Sequence, residues 1–301
     1  MKKVEIQKTP LFAESWNIAW RKGNPGKIIS DIETPFNIIE NSFRYWAADP
    51  FVYERNGSVY IFAELYDYIL CRGVLGYCKL DGSKKVKWIP IIKEEYHLSY
   101  PCIIEHGENI FLMPESSENE ELALYEAIEF PCKWEKKSVI RRDVRFADTT
   151  PFKEKSYRFA LTHKVDNPYH PQLMLIDLEN KYDDVHIEQA EEFRSRPAGY
   201  AFQNETSFVR PAQFSLNCED GYGRGLLFYS YSINDQMDYD ETLIKKLFPT
   251  ELKYSRKILM DGMHTYNASE NYEVVDIKTR RFNILNFVFR LLNKVKQRLL
   301  R

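Results

Sequence analysis

WAADPFVYERNGSVYIFAE, residues 46–64, reads as two strands joined at Asn56-Gly57. Aromatic and β-branched residues on either side favour pleated chain. Asn-Gly tolerates the positive φ that a two-residue hairpin turn demands. The same plan returns downstream. LSYPCIIEHGENIFLMPE at 98–115 turns at His106-Gly107-Glu108-Asn109, and FADTTPFKEKSYRFALTH at 146–163 turns at Glu154-Lys155-Ser156. Each copy carries a proline near its start (Pro50, Pro101, Pro151), at spacings of 51 and 50 residues. A weaker copy, PAGYAFQNETSFVRPAQ at 197–213, puts Asn204-Glu205 at the turn. A fifth unit runs from GLLFYSYSI through GMHTYNASENYEVVDIKT, with KKLFPTELK read as an inserted loop or short helix.

Several short strands repeating at about 50 residues mark propeller blades. A two-sheet sandwich also has many short strands but does not explain this recurrence. The expectation is an all-β, five-bladed β-propeller over residues 1–277, followed by a C-terminal amphipathic α-helix at 278–301. Ring closure removes sheet edges, so SWNIAWRKG near the N-terminus is expected to lend a strand to the last blade.

Charge is unevenly placed. Of 42 Lys and Arg, eight lie in residues 278–301, where there is no acid; the remaining 34 face 44 Asp and Glu. An acidic body argues against nucleic acid as a partner, and a basic tail suits an anionic surface. In NILNFVFRLLNKVKQRLLR, Ile284, Leu285, Val288, Leu291, Leu292, Val295 and Leu299 fall at helical spacing, with Arg290, Lys294, Lys296, Arg298 and Arg301 mainly on the other face. Such a helix lies in a lipid interface or packs on a protein flank. Phe282, Phe287 and Phe289 tilt the reading toward an anionic membrane surface. No apolar run is long enough to span a bilayer, and MKKVEIQKTP lacks the apolar core of a secretory signal. The expected location is cytoplasmic, peripheral at the inner face of the membrane. Five cysteines in no metal-ligand pattern read as free thiols. No cofactor is called for, and metal use stays open.

The first strand of a propeller blade lines the central channel, so residues just ahead of the repeated proline should converge. That set is Asp49, Tyr100, and Asp148 with Thr149 and Thr150. The second strands end in Glu64 and Glu115, with His163 near the equivalent place. Carboxyl pairs at controlled separation perform the acid–base work of glycosyl chemistry, and crowding raises the pKa of one of them. Arg196 and Arg210 each precede Pro-Ala. Their planar forks suit an acidic sugar, a sugar nucleotide or a lipid diphosphate; the other reading is that they pair with the acids and tie blades together. His264 in GMHTYNAS is a binding residue or a structural histidine. Asp238-Tyr239-Asp240 lacks the α/β context of a metal–nucleotide motif and reads as an exposed loop.

Taken together, WAADPF…YIFAE, SYP…LMPES, FADTTPF, RPAGYAF…RPAQ and GMHTYNAS resemble the N-terminal domain of plant glucosamine inositolphosphorylceramide transferases and similar free-standing bacterial proteins. The resemblance spans roughly residues 40–270. It implies a five-bladed propeller akin to glycoside hydrolase families 43 and 32. It also implies Asp49 as a base or nucleophile, Asp148 as a tuning carboxylate and Glu115 as the acid. Glu64, Tyr100, His163, Arg196, Arg210 and His264 would then bind substrate, with no metal ligand assigned. The plant proteins carry a further transferase domain, and the expectation here is a chain without one. The functional expectation is a membrane-associated, glycosyltransferase-like enzyme of surface polysaccharide biosynthesis, acting on a sugar, a nucleotide-sugar or a lipid-linked glycan. A non-catalytic glycan-binding scaffold and a hydrolase of the family 43/32 type remain alternatives.

Overall fold

A computed structural model describes residues 12–81, 86–165, 172–189, 195–204, 207–214 and 222–299. Five sheets follow one another along the chain. Blade 1 has four antiparallel strands, Tyr45–Arg55, Ser58–Asp67, Arg72–Leu80 and Ile89–Ile92, ordered from axis to rim. Blade 2 repeats this with Ser99–His106, Asn109–Glu115, Glu121–Glu129 and Lys133–Arg142. Blade 3 uses Phe146–Pro151, Phe159–Lys164, Gln172–Asp177 and Val185–Ile187. Blade 4 has a split inner strand, Ser195–Pro197 and Phe202–Asn204, beside Ser207–Phe214, Gly225–Ile233 and Tyr239–Leu247.

Blade 5 closes the ring. Its inner strands Tyr266–Ala268 and Tyr272–Phe282 are completed by Phe12–Lys22 and Asn37–Ile38 from the start of the chain. Phe12–Lys22 pairs along its whole length with Tyr272–Phe282, from Phe12↔Phe282 to Lys22↔Tyr272. The strand expected from SWNIAWRKG is therefore present, and both of its neighbours are satisfied. The propeller's last strand passes through the 277/278 boundary and ends at Phe282. A helix, Ile284–Leu299, follows. No helix among the described residues is long and apolar enough to cross a membrane.

The turns behave as their residues dictate. Asn56 and Gly57 both take positive φ (50° and 70°), the mirror-image turn that matches strand twist. KKLFPTELK ends the outer strand of blade 4 and adds a 3-10 turn at Pro249–Glu251. The Asp238-Tyr239-Asp240 stretch is not a free loop: Tyr239 opens that strand, and its hydroxyl donates to Glu241 at 2.5 Å.

Aromatic rings fill the wedges between blades. Phe62 packs edge-on against Trp134, and Phe51 against Tyr100 and Tyr200, with centroids 5.0–5.8 Å apart. Such pairs add about 0.5–1.5 kcal/mol each beyond their buried area. Cys71, Cys78, Cys102 and Cys132 form no disulfide with one another, and Cys218 lies outside the described residues.

Candidate functional site: a central cluster of buried acids

Three inner strands share one irregularity. Pairing skips two residues between Ala48 and Phe51, Ser99 and Cys102, and Ala147 and Thr150. Asp49, Tyr100 and Asp148 sit in these bulges with φ of 51°, 48° and 53°. A bulge re-aims its side chain, and aspartate tolerates left-handed backbone better than an aromatic residue does. Tyr100 adopts it nonetheless, so the bulge belongs to the repeat and not to the acids alone. Thr149, not Pro151, occupies the place of Pro50 and Pro101; the proline spacing of blade 3 was a near coincidence.

The residue before each bulge faces a polar side chain on the second strand: Ala48 faces Glu64, Ser99 faces Glu115 and Ala147 faces His163. Arg196 faces Gln213 in blade 4. In blade 5 the Asp276 N–H donates to the Thr265 carbonyl across the same pair of strands. Glu64, Glu115, His163, Gln213 and Asp276 thus form one ring of equivalent positions.

Two hydrogen-bonded groups occupy the centre. In the first, Asp276 accepts from four donors: the backbone N–H groups of His264 (2.9 Å), Thr265 (3.0 Å) and Asp49 (3.2 Å), and His264 Nδ1 at 2.5 Å. Thr265 Oγ1 donates to Asp49 Oδ1 at 2.8 Å, and His264 Nδ1 lies 3.8 Å from the same oxygen. The His264 ring stacks on Trp16, with centroids 3.9 Å apart. Burial opposes the imidazolium, but Asp276 and Asp49 outweigh it and hold the His264 pKa above its ordinary value. Burial raises the Asp49 pKa, with His264 pulling the other way. Among the described residues, Asp49, His264 and Asp276 offer ligand atoms within 4.8 Å of one another and could together hold a metal ion.

In the second group, Asp148 Oδ2 accepts from Arg196 Nε at 2.6 Å and from Gln213 Nε2 at 2.8 Å. Glu115 Oε2 lies 3.5 Å from Arg196 and accepts the Asp148 N–H at 3.3 Å, while its Oε1 accepts from Ser117 Oγ at 2.9 Å. Burial pushes the Asp148 carboxyl up to about 7 against the pull of Arg196, with Glu115 and Asp49 adding to the rise. Tyr222, 42% exposed, sits against both groups: its ring lies edge-on to His264 and under the Arg196 guanidinium, 5.7 Å from its centroid.

Glu64 belongs to neither group. It is buried, and its Oε1 has no hydrogen-bond partner among the described residues. Its neighbour is His97, whose Nδ1 accepts the Gly73 N–H at 3.0 Å and whose Nε2 lies 3.4 Å from Glu64 Oε1. That bond places the ring proton on Nε2, facing the carboxyl. Burial, and then Asp49, Glu115, Asp276 and Asp148, hold the Glu64 pKa well above the carboxylate range. Burial and like charge both favour the protonated acid.

The structure therefore brings together Asp49, Glu64, Glu115, Asp148, Arg196 and His264, with His163 on the same ring. Two expected residues lie elsewhere. Tyr100 is fully buried, its ring against Phe51 and its hydroxyl 2.7 Å from Thr150 Oγ1, so it is a core residue. Arg210 turns toward the outer strand of blade 4, where Nε and Nη2 donate to Glu241 at 2.6 and 2.8 Å; it ties that blade and leaves the centre. Thr149 pairs with Thr162 at 2.8 Å, also inside. Sequence reasoning missed Asp276, Gln213, Thr265, His97, Trp16 and Tyr222. Asp276 had a signal: it ends an apolar run in VVDIKT as Glu64 does in YIFAE.

These features define the class, a five-bladed β-propeller with a central cluster of buried acids. Among solved structures, it is similar to the catalytic domain of a Coprinopsis cinerea α-L-arabinofuranosidase of glycoside hydrolase family 62, with TM-score 0.55 and 11% identity over 88% of this chain and 97% of that one. It is also similar to β-1,2-mannobiose phosphorylase from Listeria innocua, with TM-score 0.51 and 10% identity over 79% and 91%. At such identity these likenesses are of fold.

The chain belongs to the family described as glucosamine inositolphosphorylceramide transferase 1, N-terminal, which it matches over residues 13–269. It is 36% identical over 96 residues to glucosamine inositolphosphorylceramide transferase 1 of Arabidopsis thaliana, which covers 31% of this chain and 12% of that protein. It is 26% identical over 211 residues to the protein of the same name from Oryza sativa subsp. indica, covering 65% and 27%. The chain thus spans about a quarter of the rice protein's length and less of the Arabidopsis one.

Proposed function

We propose that the chain is a carbohydrate-active enzyme that transfers a glycosyl group at the central acids. One observation carries this reading: Glu64 Oε1 is buried and accepts no hydrogen bond among the described residues, with only His97 Nε2 near it at 3.4 Å, while Asp276 and Asp148 beside it are held by several donors. A group without a partner in the free protein is available to a ligand. Glu64, holding its proton, is the acid that protonates a leaving oxygen. Asp49, held by Thr265, is the base that takes the proton of an attacking hydroxyl. This moves the acid from Glu115, which Arg196 and Ser117 already engage. Arg196, a quarter exposed, presents the remaining edge of its fork to an anionic group on the substrate.

Family membership supports sugar as the substrate class. The finer reading is action at the inner face of a membrane in surface polysaccharide biosynthesis, with the basic C-terminal segment as the membrane contact. Its support is the eight basic residues and no acid in 278–301, together with the exposed apolar helix. Asp49→Asn and Glu64→Gln each retain fold and ligand binding but lose turnover, read as glycan output in cells carrying the variants. Unchanged output from both refutes the catalytic reading. Because strand pairing runs to Phe282, the tail test removes residues 283–301, and the shortened chain is expected in the soluble fraction.

A further inference from the structure

The C-terminal helix is mounted with its polar side inward. Asn283, its N-cap, is buried; its side chain donates to the Phe43 carbonyl at 2.9 Å and accepts the Leu285 N–H at 2.9 Å. Asn286 is 2% exposed, and Arg290, though exposed, lies beside Tyr66. These three recur at i, i+3 and i+7, so one polar face is set against blade 1. Ile284, Val288, Leu291, Leu292 and Val295, on the other face, are 40–54% exposed. A helix held by a protein core shows the reverse pattern.

The place of this helix in the propeller gives the exposed face a direction. Inner strands begin at the end of the ring where the acids cluster. Tyr66, opposite Trp46, and Phe282, at the end of the strand that rises past Asp276, lie at that end. So does Phe43, two residues ahead of the first inner strand and 59% exposed. Phe282 is 52% exposed. The hairpin turns Asn56-Gly57 and Gly107-Glu108 mark the opposite end.

We propose that Phe43, Phe282 and the apolar face of the helix form one rim that seats in an anionic lipid surface with the acid-bearing end of the propeller turned toward the headgroups. The proposal rests on the membrane reading above and adds its orientation. Charge complementarity selects lipid over a second copy of the chain: five basic residues against no acid in 283–301 would repel their own image.

The full chain is to be sedimented with phosphatidylcholine vesicles, with and without phosphatidylglycerol. Binding is expected only with the anionic lipid. Leu291→Glu with Leu292→Glu is expected to weaken it at least about tenfold. Both side chains are exposed, so the melting temperature should not move. For orientation, Phe43→Trp and Glu108→Trp variants are bound to vesicles of brominated lipid. Emission added at position 43 is expected to be quenched, and emission added at 108, on the far face, is not. No sedimentation of the parent chain refutes the membrane reading and this proposal together. Sedimentation with quenching at 108, or equally at both positions, overturns the orientation and leaves the membrane reading intact. A dimer in solution that the leucine pair dissolves, without vesicle binding, gives the apolar face to a second copy and overturns the proposal.

Discussion

Replacing Asp148 with asparagine should change how stability depends on pH more than it changes stability itself. The Asp148 carboxyl, ordinarily near 3.8, is pushed up to about 7 in the folded chain by burial, against the opposing pull of Arg196. The folded state therefore holds this proton more tightly than the unfolded state does. The stability it contributes is fully present below about pH 4 and is lost as pH rises toward 7. At about 1.4 kcal/mol per pH unit, a gap of that size corresponds to about 4 kcal/mol. The carboxyl is almost wholly buried, so solvent screening takes little from that figure. Asparagine keeps an oxygen for Arg196 and Gln213 but does not titrate. The assay is urea denaturation of parent and variant at half-unit steps from pH 4 to pH 7.5, with the difference in unfolding free energy plotted against pH. That difference should shift in favour of the variant by about 4 kcal/mol from the acid to the neutral end. A difference that stays flat, or that shifts toward the parent as pH rises, refutes the account of Asp148 as a burial-raised acid.

Asp276→Ala strips four donors of their acceptor and leaves His264 buried without its main counter-charge. A loss of about 3–5 kcal/mol in denaturant melts is expected, and Asp276→Asn should recover part of it. Gly73→Ala would place a methyl 2.5 Å from the Leu98 carbonyl and 2.6 Å from Glu64 Oε1. A stability loss of about 1–3 kcal/mol should accompany weakened ligand binding, measured calorimetrically. Arg210→Met leaves Glu241 without its cation in blade 4. Melting should fall by an amount equivalent to about 3 kcal/mol or more while ligand affinity in the surviving folded fraction is unchanged, because Arg210 does not face the acids.

The fold was legible because its signals are local. Asn56-Gly57 and Gly107 mark turns on chemistry alone, and aromatic strands recur around them. Closure followed from the logic of edges, not from any motif. Asp49 and Asp148 were found because the bulge that aims them is written into the repeat, yet Tyr100 shares the bulge and faces the core. Side-chain size separates the cases: Phe51 and Tyr200 leave a ring-shaped space that tyrosine fills. Arg196 and Arg210 stand before the same Pro-Ala pair, and nothing local tells them apart. What decides is that Arg196 faces Gln213 across the inner pair of strands, while Arg210 meets Glu241 across the outer ones. His97 and Tyr222 were invisible because both sit on connections between strands, where the repeat imposes no register.

The seam between Phe12–Lys22 and Tyr272–Phe282 also times assembly. A growing chain can fold blades 1 to 4 in turn, but its first strand, beside only the short Asn37–Ile38, waits for its main partner until the segment at 272–282 has been synthesised, some 260 residues later. Bringing such distant ends together is slow. Asp49 shares the delay, since Thr265 and Asp276 reach it only from the fifth blade. An interrupted chain therefore has Asp49 in place without His264, Thr265 and Asp276, the three neighbours that reach it only when the circle is complete.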